Sequence, residues 1–238
     1  MDKELIITCE HAGNEVPSGY RSLFEDDPEI LKTHRGYDIG ALELTRTCAR
    51  KLKVSPYLHS VTRLLVDLNR SLHSPELFSE FMESLDEKGR QMVLEQYYKP
   101  HRNTVEAQIE KMVSKEVQVL HLSVHTFTPI LDGSLREVDI GLLFDPFRSS
   151  ETRFCHIWKR LLERDSDLNI QFNNPYPGVM DGFSTYLRTK YTDSEYAGLE
   201  IEVNQKFPEN RSSGKRWSQV QELVAETLRE AYQEWRAN

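Results

Sequence analysis

Short apolar runs rich in β-branched residues alternate with segments of helical period along this chain, and that alternation limits the fold more than any other feature. Residues 5–9 (Leu-Ile-Ile-Thr-Cys) read as a buried strand that runs into a polar loop, Glu10-His11-Ala12-Gly13-Asn14. Residues 38–53 carry Ile39, Leu42, Leu44, Cys48, Ala49 and Leu52 at near-helical spacing and predict a helix. Residues 61–67 predict a strand that delivers Asp67-Leu68-Asn69-Arg70 at its end, and residues 86–115 predict a long amphipathic helix broken near Pro100. The clearest strand covers 117–124, with His125 at its C-terminal edge. A strand at 138–144, a helix at 150–164, a strand at 168–172, a loop at 173–178, a strand at 196–203 and a helix from about 215 to 236 complete the pattern. The expected fold class is α/β: a single domain over residues 1–238, with a mixed, mainly parallel sheet flanked by helices.

Composition narrows the function classes. With 238 residues, 38% hydrophobic and 29% charged, the balance is that of an ordinary globular chain. A formal net charge of −8 gives a nucleic-acid partner no electrostatic support. Every apolar stretch is broken by charge well short of a membrane span, and the first residues enter a strand at once without a signal-peptide profile. The three cysteines, at 9, 48 and 155, are scattered, which fits a reducing compartment better than a disulfide framework. A cytoplasmic protein with neither membrane nor nucleic acid as partner is expected.

In open α/β sheets, ligands bind beyond the carboxyl ends of the strands, and the reactive side chains fall there. His11 follows the first strand, Asp67 to Arg70 follow another, His125 follows the clearest one, and Glu202 lies near the end of the last. Two histidines and one carboxylate form a common catalytic zinc set that leaves a fourth position for water. Asp38 and Glu10 are the candidate carboxylates. Asp38 is preferred because it follows the Gly36-Tyr37 turn at the expected helix start, although an aspartate there also serves as an N-cap. A separate carboxylate must move the water's proton to the leaving nitrogen, a task for Glu202 with Glu200 as the alternative, since the two share one face of their strand. Arg70 offers a planar cation to a substrate carboxylate and Asn69 an amide donor, against the plainer reading of Arg70 as a salt-bridge partner of Asp67 or Asp139. Arg35, Arg63, Arg136 and Arg188 are further carboxylate binders that nothing singles out, and His121, deeper on the strand of His125, reads as core.

These residues sit in a recognisable order. Residues 7–17 (Ile-Thr-Cys-Glu-His-Ala-Gly-Asn-Glu-Val-Pro) resemble the opening motif of the N-formylglutamate amidohydrolase family. So do 35–41 (Arg-Gly-Tyr-Asp-Ile-Gly-Ala), 66–70 (Val-Asp-Leu-Asn-Arg), 123–127 (Ser-Val-His-Thr-Phe) and 200–204 (Glu-Ile-Glu-Val-Asn). The resemblance implies a phosphorylase/hydrolase-like core similar to that of the zinc-dependent exopeptidases. It also implies hydrolysis of N-formyl-L-glutamate to formate and L-glutamate, a step of amino-acid degradation. Carried over by position, it implies His11, Asp38 and His125 as ligands of a divalent metal, zinc first, and Glu202 as general base. Residues 67–70 also look like a segment of the related aspartoacylase group, which implies that Asn69 and Arg70 hold substrate carboxylate. The expected partner is a small N-acyl amino acid, and the pattern sets no oligomeric state. Two other readings compete: an amidase for a larger N-acyl peptide or cell-wall substrate, around which the loops at 126–137 and 173–182 would gape, and a non-catalytic binding protein on the same fold.

Overall fold

The computed structural model describes residues 2–209 and 214–237. Its first strand, β1 (Asp2–Cys9), is followed by two short 3-10 turns, helix α1 (Ala41–Leu52) and the two-residue strand β2 (Tyr57–Leu58). Helices α2 (Glu87–Val93) and α3 (Lys99–Val113) lead into the long strand β3 (Val117–Phe127), the hairpin β4 (Ile130–Leu131) and β5 (Ser134–Leu135), and β6 (Ile140–Leu143). Helix α4 (Ser149–Asp165), β7 (Ile170–Phe172), α5 (Phe183–Arg188), β8 (Tyr196–Asn204), the short α6 (Lys206–Glu209) and α7 (Gly214–Ala237) complete the order. Six strands form one sheet in the order β2-β1-β3-β8-β6-β7, parallel throughout except where β6 runs antiparallel to β8. This is the mixed, mainly parallel α/β sheet that the alternation predicts.

Side chains alternate across a strand, and here the two faces have different work. On one face Leu5, Ile7, Leu120, Leu122, Val124, Leu199, Ile201 and Val203 pack under α1, α4 and α7 with Leu44, Trp158 and Trp235, in a continuous apolar layer. Each fully buried side chain of this size contributes about 1.5–3 kcal/mol through removal from water. On the other face Ile6, Val119 and Tyr196 meet Val105 and Ile109 of α3 and Phe183 and Leu187 of α5. Toward the carboxyl ends that second face turns polar. The register sets Thr8 beside Ser123, Ser123 beside Glu200, and His125 beside Glu202. No helix among the described residues is long and apolar enough to cross a membrane.

Three elements depart from the expectations. Residues 61–67 are not a strand: Val61 makes a single bridge to Glu15, and the segment then turns, with Leu65 N–H donating to Thr62 O at 3.0 Å. Leu64, Leu65 and Val66 are buried in succession, whereas a half-buried strand would alternate. Leu65, Val66 and Leu68 instead nucleate a separate cluster with Leu77, Met82 and Val93. The helical run at 87–113 does not break near Pro100. A π turn over Leu94–Tyr98, in which Lys99 N–H donates to Leu94 O, precedes Pro100 in the first turn of α3, where a missing N–H does no harm. Helix α1 begins at 41 rather than 38, because Gly40 at φ +90° forms the cap with its backbone pressed against Pro208 and Trp217. Asp38 is therefore free of the capping role, and its carboxylate points elsewhere.

Candidate metal centre and its cleft

His11 lies two residues beyond β1, His125 near the end of β3, and Asp38 just before α1, and all three are buried. Asp38 Oδ2 is 2.8 Å from His125 Nδ1 and 3.3 Å from His11 Nδ1. The two rings are tilted, with centroids 5.0 Å apart. One ligand atom from each of the three residues falls within 4.8 Å of the others, so both imidazoles present Nδ1 to one carboxylate oxygen. The opposite ring nitrogens are also occupied. His11 Nε2 bonds Asp67 Oδ1 at 2.8 Å. His125 Nε2 lies 2.8 Å from Ser123 Oγ, which in turn donates to Glu10 Oε2 at 2.5 Å. Carboxylates behind both rings fix the tautomer that turns Nδ1 toward Asp38, the arrangement found behind metal-bound histidines. The donor set of two nitrogens and one oxygen suits a divalent metal of zinc type.

Arg63 ties the cluster to the segment at 67–70. Its Nη1 donates to Asp38 Oδ1 at 3.2 Å, while Nε and Nη2 donate to Asp67 Oδ2 at 3.1 and 2.7 Å. Burial opposes ionisation of Asp67, but the Arg63 and His11 charges outweigh it and hold the carboxyl well below its ordinary range. For Asp38, burial is likewise overcome by His11 and His125, and the shift is downward. His125 is pushed up: burial disfavours its cation, but the bonds to Asp38 and Glu10 prevail.

Glu202 behaves differently. Burial, followed by the charges of Asp38 and Glu200, raises its carboxyl to about 8 against the pull of His125 and Arg63. Its Oε2 is buried and makes no hydrogen bond among the described residues. An unpaired carboxyl oxygen in a buried site is costly, and among the groups around His125 that state is shared by Glu10 Oε1.

Above these residues opens a cleft of about 230 Å³, reached by Arg70 and Asn69 on one side and Glu200 and Glu202 on the other. Tyr176 to Gly178, Met180 and Asp181 cover it, while the β4–β5 hairpin lines none of it. Gly178 presses on Phe144, where a Cβ would come within 2.1 Å of the backbone nitrogen. Asn69 Oδ1 accepts from Phe183 N–H at 2.7 Å, which turns its NH2 toward Glu200. Arg70 pairs with the exposed Glu76 at 2.8 Å, and not with the Asp67 or Asp139 that the plainer sequence reading offers. Arg102 supports the segment from below, donating to the carbonyls of Leu68 at 3.1 Å and Arg70 at 2.9 Å while stacked 4.3 Å from the centre of the Phe183 ring.

The structure thus brings His11, Asp38, His125, Glu202, Asn69 and Arg70 to one cleft. Glu10, the other candidate carboxylate, lies behind His125. His121 is wholly buried between Thr8 and Tyr196, as its core reading expects. Sequence reasoning left Arg63 among several arginines and missed Ser123 and Arg102. A basic residue four before Asp67 was the available signal for Arg63; Ser123 stood in the 123–127 motif without a role, and no local pattern marked Arg102.

Over residues 3–207 the chain matches the family model described as N-formylglutamate amidohydrolase. No curated protein matches it. Among solved structures, a gene product from Agrobacterium tumefaciens is similar at 24% identity and TM-score 0.82, covering 98% of this chain and 91% of that one. The N-formylglutamate amidohydrolase from Ralstonia eutropha is similar at 18% identity and TM-score 0.74, covering 100% of this chain and 96% of its own. At these identities the two structures speak for the shared fold.

Proposed function

The chain belongs to the N-formylglutamate amidohydrolase family, and from that premise we propose that it is a metal-dependent enzyme that hydrolyses the amide bond of a small N-acyl amino acid. N-formyl-L-glutamate, cleaved to formate and L-glutamate, is the first substrate to test. The observation that carries the reading is the buried, unpartnered oxygen of Glu202 beside the His11–Asp38–His125 cluster, open to the same cleft.

His11, Asp38 and His125 would hold the divalent ion, zinc by its donor set, which polarises the amide carbonyl and acidifies a water. Glu202 would take the proton of the attacking water and pass it to the departing nitrogen, as a general base turned acid. Without a metal its carboxyl is raised to about 8 by burial; a divalent cation beside it would favour the ionised form that accepts the proton. Arg70 and Asn69 orient the substrate through a carboxylate, and holding the amide against Glu202 supplies much of the rate. Asp67 and the Ser123–Glu10 pair hold the two imidazoles in place. A cleft of about 230 Å³ under the 176–181 cover suits a small substrate rather than a cell-wall peptide. Three buried free thiols suit the cytoplasm as the place of action.

The test is release of formate or acetate from N-formyl and N-acetyl amino acids by zinc-loaded protein, by the same sample after chelation, and after zinc is restored. The expected result is turnover lost with the metal and regained with it. Undiminished hydrolysis by chelated, metal-free protein refutes the proposal.

A further inference from the structure

The walls of the cleft carry more acid than base. Asp38 and Glu202 lie at its floor, and Glu200, Asp181 and Glu76 stand around its sides. Two guanidinium groups face them, Arg63 and Arg70. Arg63 is fully engaged, with Nη1 on Asp38 and both Nε and Nη2 on Asp67. Arg70 alone can take a ligand carboxylate, since its ion pair is with Glu76, whose side chain is 69% exposed and readily exchanged. Apart from the candidate metal position, the cleft therefore offers one exchangeable guanidinium, Arg70, enough for one carboxylate.

Glu200 decides what the rest of the ligand meets. Across β8 it shares the reactive face with Glu202, and in the register it stands between Ser123 of β3 and Leu143 of β6. Its only hydrogen bond among the described residues is a long one, 3.4 Å from Asn69 Nδ2 to Oε2, and Oε1 has none. The Asn69 amide cannot turn over to present its oxygen, because that oxygen is held by Phe183 N–H. Half-buried and weakly satisfied, the Glu200 carboxylate presents acceptor oxygens to the cleft without an ion pair among the described residues, the charges of Arg188 and His125 acting on it only from beyond salt-bridge distance. A second carboxylate brought against it meets like charge in a site partly withdrawn from water. A donor group meets an acceptor with room for another hydrogen bond.

Resting on the hydrolytic reading of the same site, we propose that Glu200 selects the substrate side chain, favouring N-acyl amino acids that end in a hydrogen-bond donor, carboxamide or amine, over the carboxylate of glutamate. Arg70 then holds the α-carboxylate and Glu200 the far end of the side chain. Selectivity arises as much from rejection of the second carboxylate as from attraction of the donor.

The experiment compares kcat/KM of the zinc-loaded full chain for N-formyl-L-glutamate, N-formyl-L-glutamine and N-formyl-L-lysine, in the native protein and in Glu200→Gln. The native protein is expected to prefer the glutamine or the lysine derivative over the glutamate one by at least about tenfold. Whichever of the two leads identifies a carboxamide or an amine as the group received. Glu200→Gln is expected to shrink that preference about tenfold or more, chiefly by improving the glutamate derivative. Fastest turnover of N-formyl-L-glutamate by the native protein overturns the proposal and leaves the hydrolytic reading standing. So does an unchanged ranking in Glu200→Gln. If none of the three is hydrolysed, the N-formyl form of the hydrolytic reading fails, and calorimetry with the free amino acids still decides selectivity. Tighter binding of L-glutamine or L-lysine than of L-glutamate then supports it, and equal or reversed affinities overturn it.

Discussion

Glu202 and Glu10 are both buried carboxyls next to His125, yet the protein holds them in opposite states. Glu202 makes no hydrogen bond among the described residues and its pKa is raised, whereas Glu10, although its Oε1 is likewise unpaired, accepts from Ser123 through Oε2 and, despite its burial, is kept well below the ordinary range by His101 and His125. Their substitutions should therefore fail in different ways. Glu202→Gln should lower kcat by about 10²–10⁴-fold with metal content retained, as expected for loss of a general base; kcat within a few-fold of native would remove it from that role. Glu10→Gln should leave the fold intact but weaken metal affinity by about 10–100-fold, read by competition with a chelator of known affinity. Unchanged affinity would mean that Ser123 alone orients the ring. The two histidines, Asp38 and Glu202 were legible in the sequence because each lies at or just beyond a strand end, or at a helix start, where α/β sheets gather their chemistry. The Ser123–Glu10 pair was not, since 113 positions separate its members and only the β1–β3 register brings them together.

At the level of elements, the sequence was a good guide wherever a strand is buried on both faces or a helix has one clear stripe. Strands β1, β3 and β8 and helices α4 and α7 fall within one or two residues of their expected starts or ends, apart from three residues more at the head of β1 and at the tail of β3. It misled at 61–67, where Val61, Leu65 and Val66 serve a local cluster rather than the sheet, and at Pro100, where a π turn takes up the irregularity. The segment delivering Asn69 and Arg70 is thus a loop, and it owes its shape to a neighbour. Arg102, on α3, ties the Leu68 and Arg70 carbonyls together and stacks on Phe183, whose N–H holds Asn69. Arg102→Lys keeps a cation but loses the planar fork. It should raise KM about tenfold with a smaller change in kcat, because positioning of the proposed carboxylate anchor suffers before the proposed hydrolytic centre does. A fall in kcat at unchanged KM would contradict that division of labour.

For the molecule as a whole, the buried titratable groups set a pH of greatest stability in the metal-free state. Burial, with neighbouring positive charges, lowers His59 to about 3 and His121 to about 4. Between pH 6.5 and 4 the unfolded chain therefore binds more protons than the folded one at these two sites, and stability is lost as pH falls. Asp67 and Glu10, held low in the fold, add to the loss below their unfolded pKa of about 4. Above pH 6.5 the sign reverses. Glu202, raised to about 8, and His125, raised well above its usual value, bind protons in the fold that the unfolded chain has released. Their contribution fades as pH rises through the folded values. Over pH 4.5–6.5 the two histidines outweigh the single opposing Glu202, so urea midpoints of zinc-free protein should peak near pH 6.5. A midpoint that climbs steadily from pH 6.5 to 8.5 would contradict this.

The two faces of β3 and β8 also govern how the gene can change length. Along β3, Leu120, Leu122 and Val124 enter the apolar layer, while His121, Ser123 and His125 face the cleft side. A one-residue insertion or deletion within 119–125 would exchange the two sets, driving His125 beneath the helices and a leucine or valine toward Glu10. Such a change would abolish the candidate metal site and the hydrophobic layer in a single step. Length variation is therefore confined to segments such as the exposed β4–β5 hairpin, whose Ile130, Leu131 and Leu135 belong to neither face.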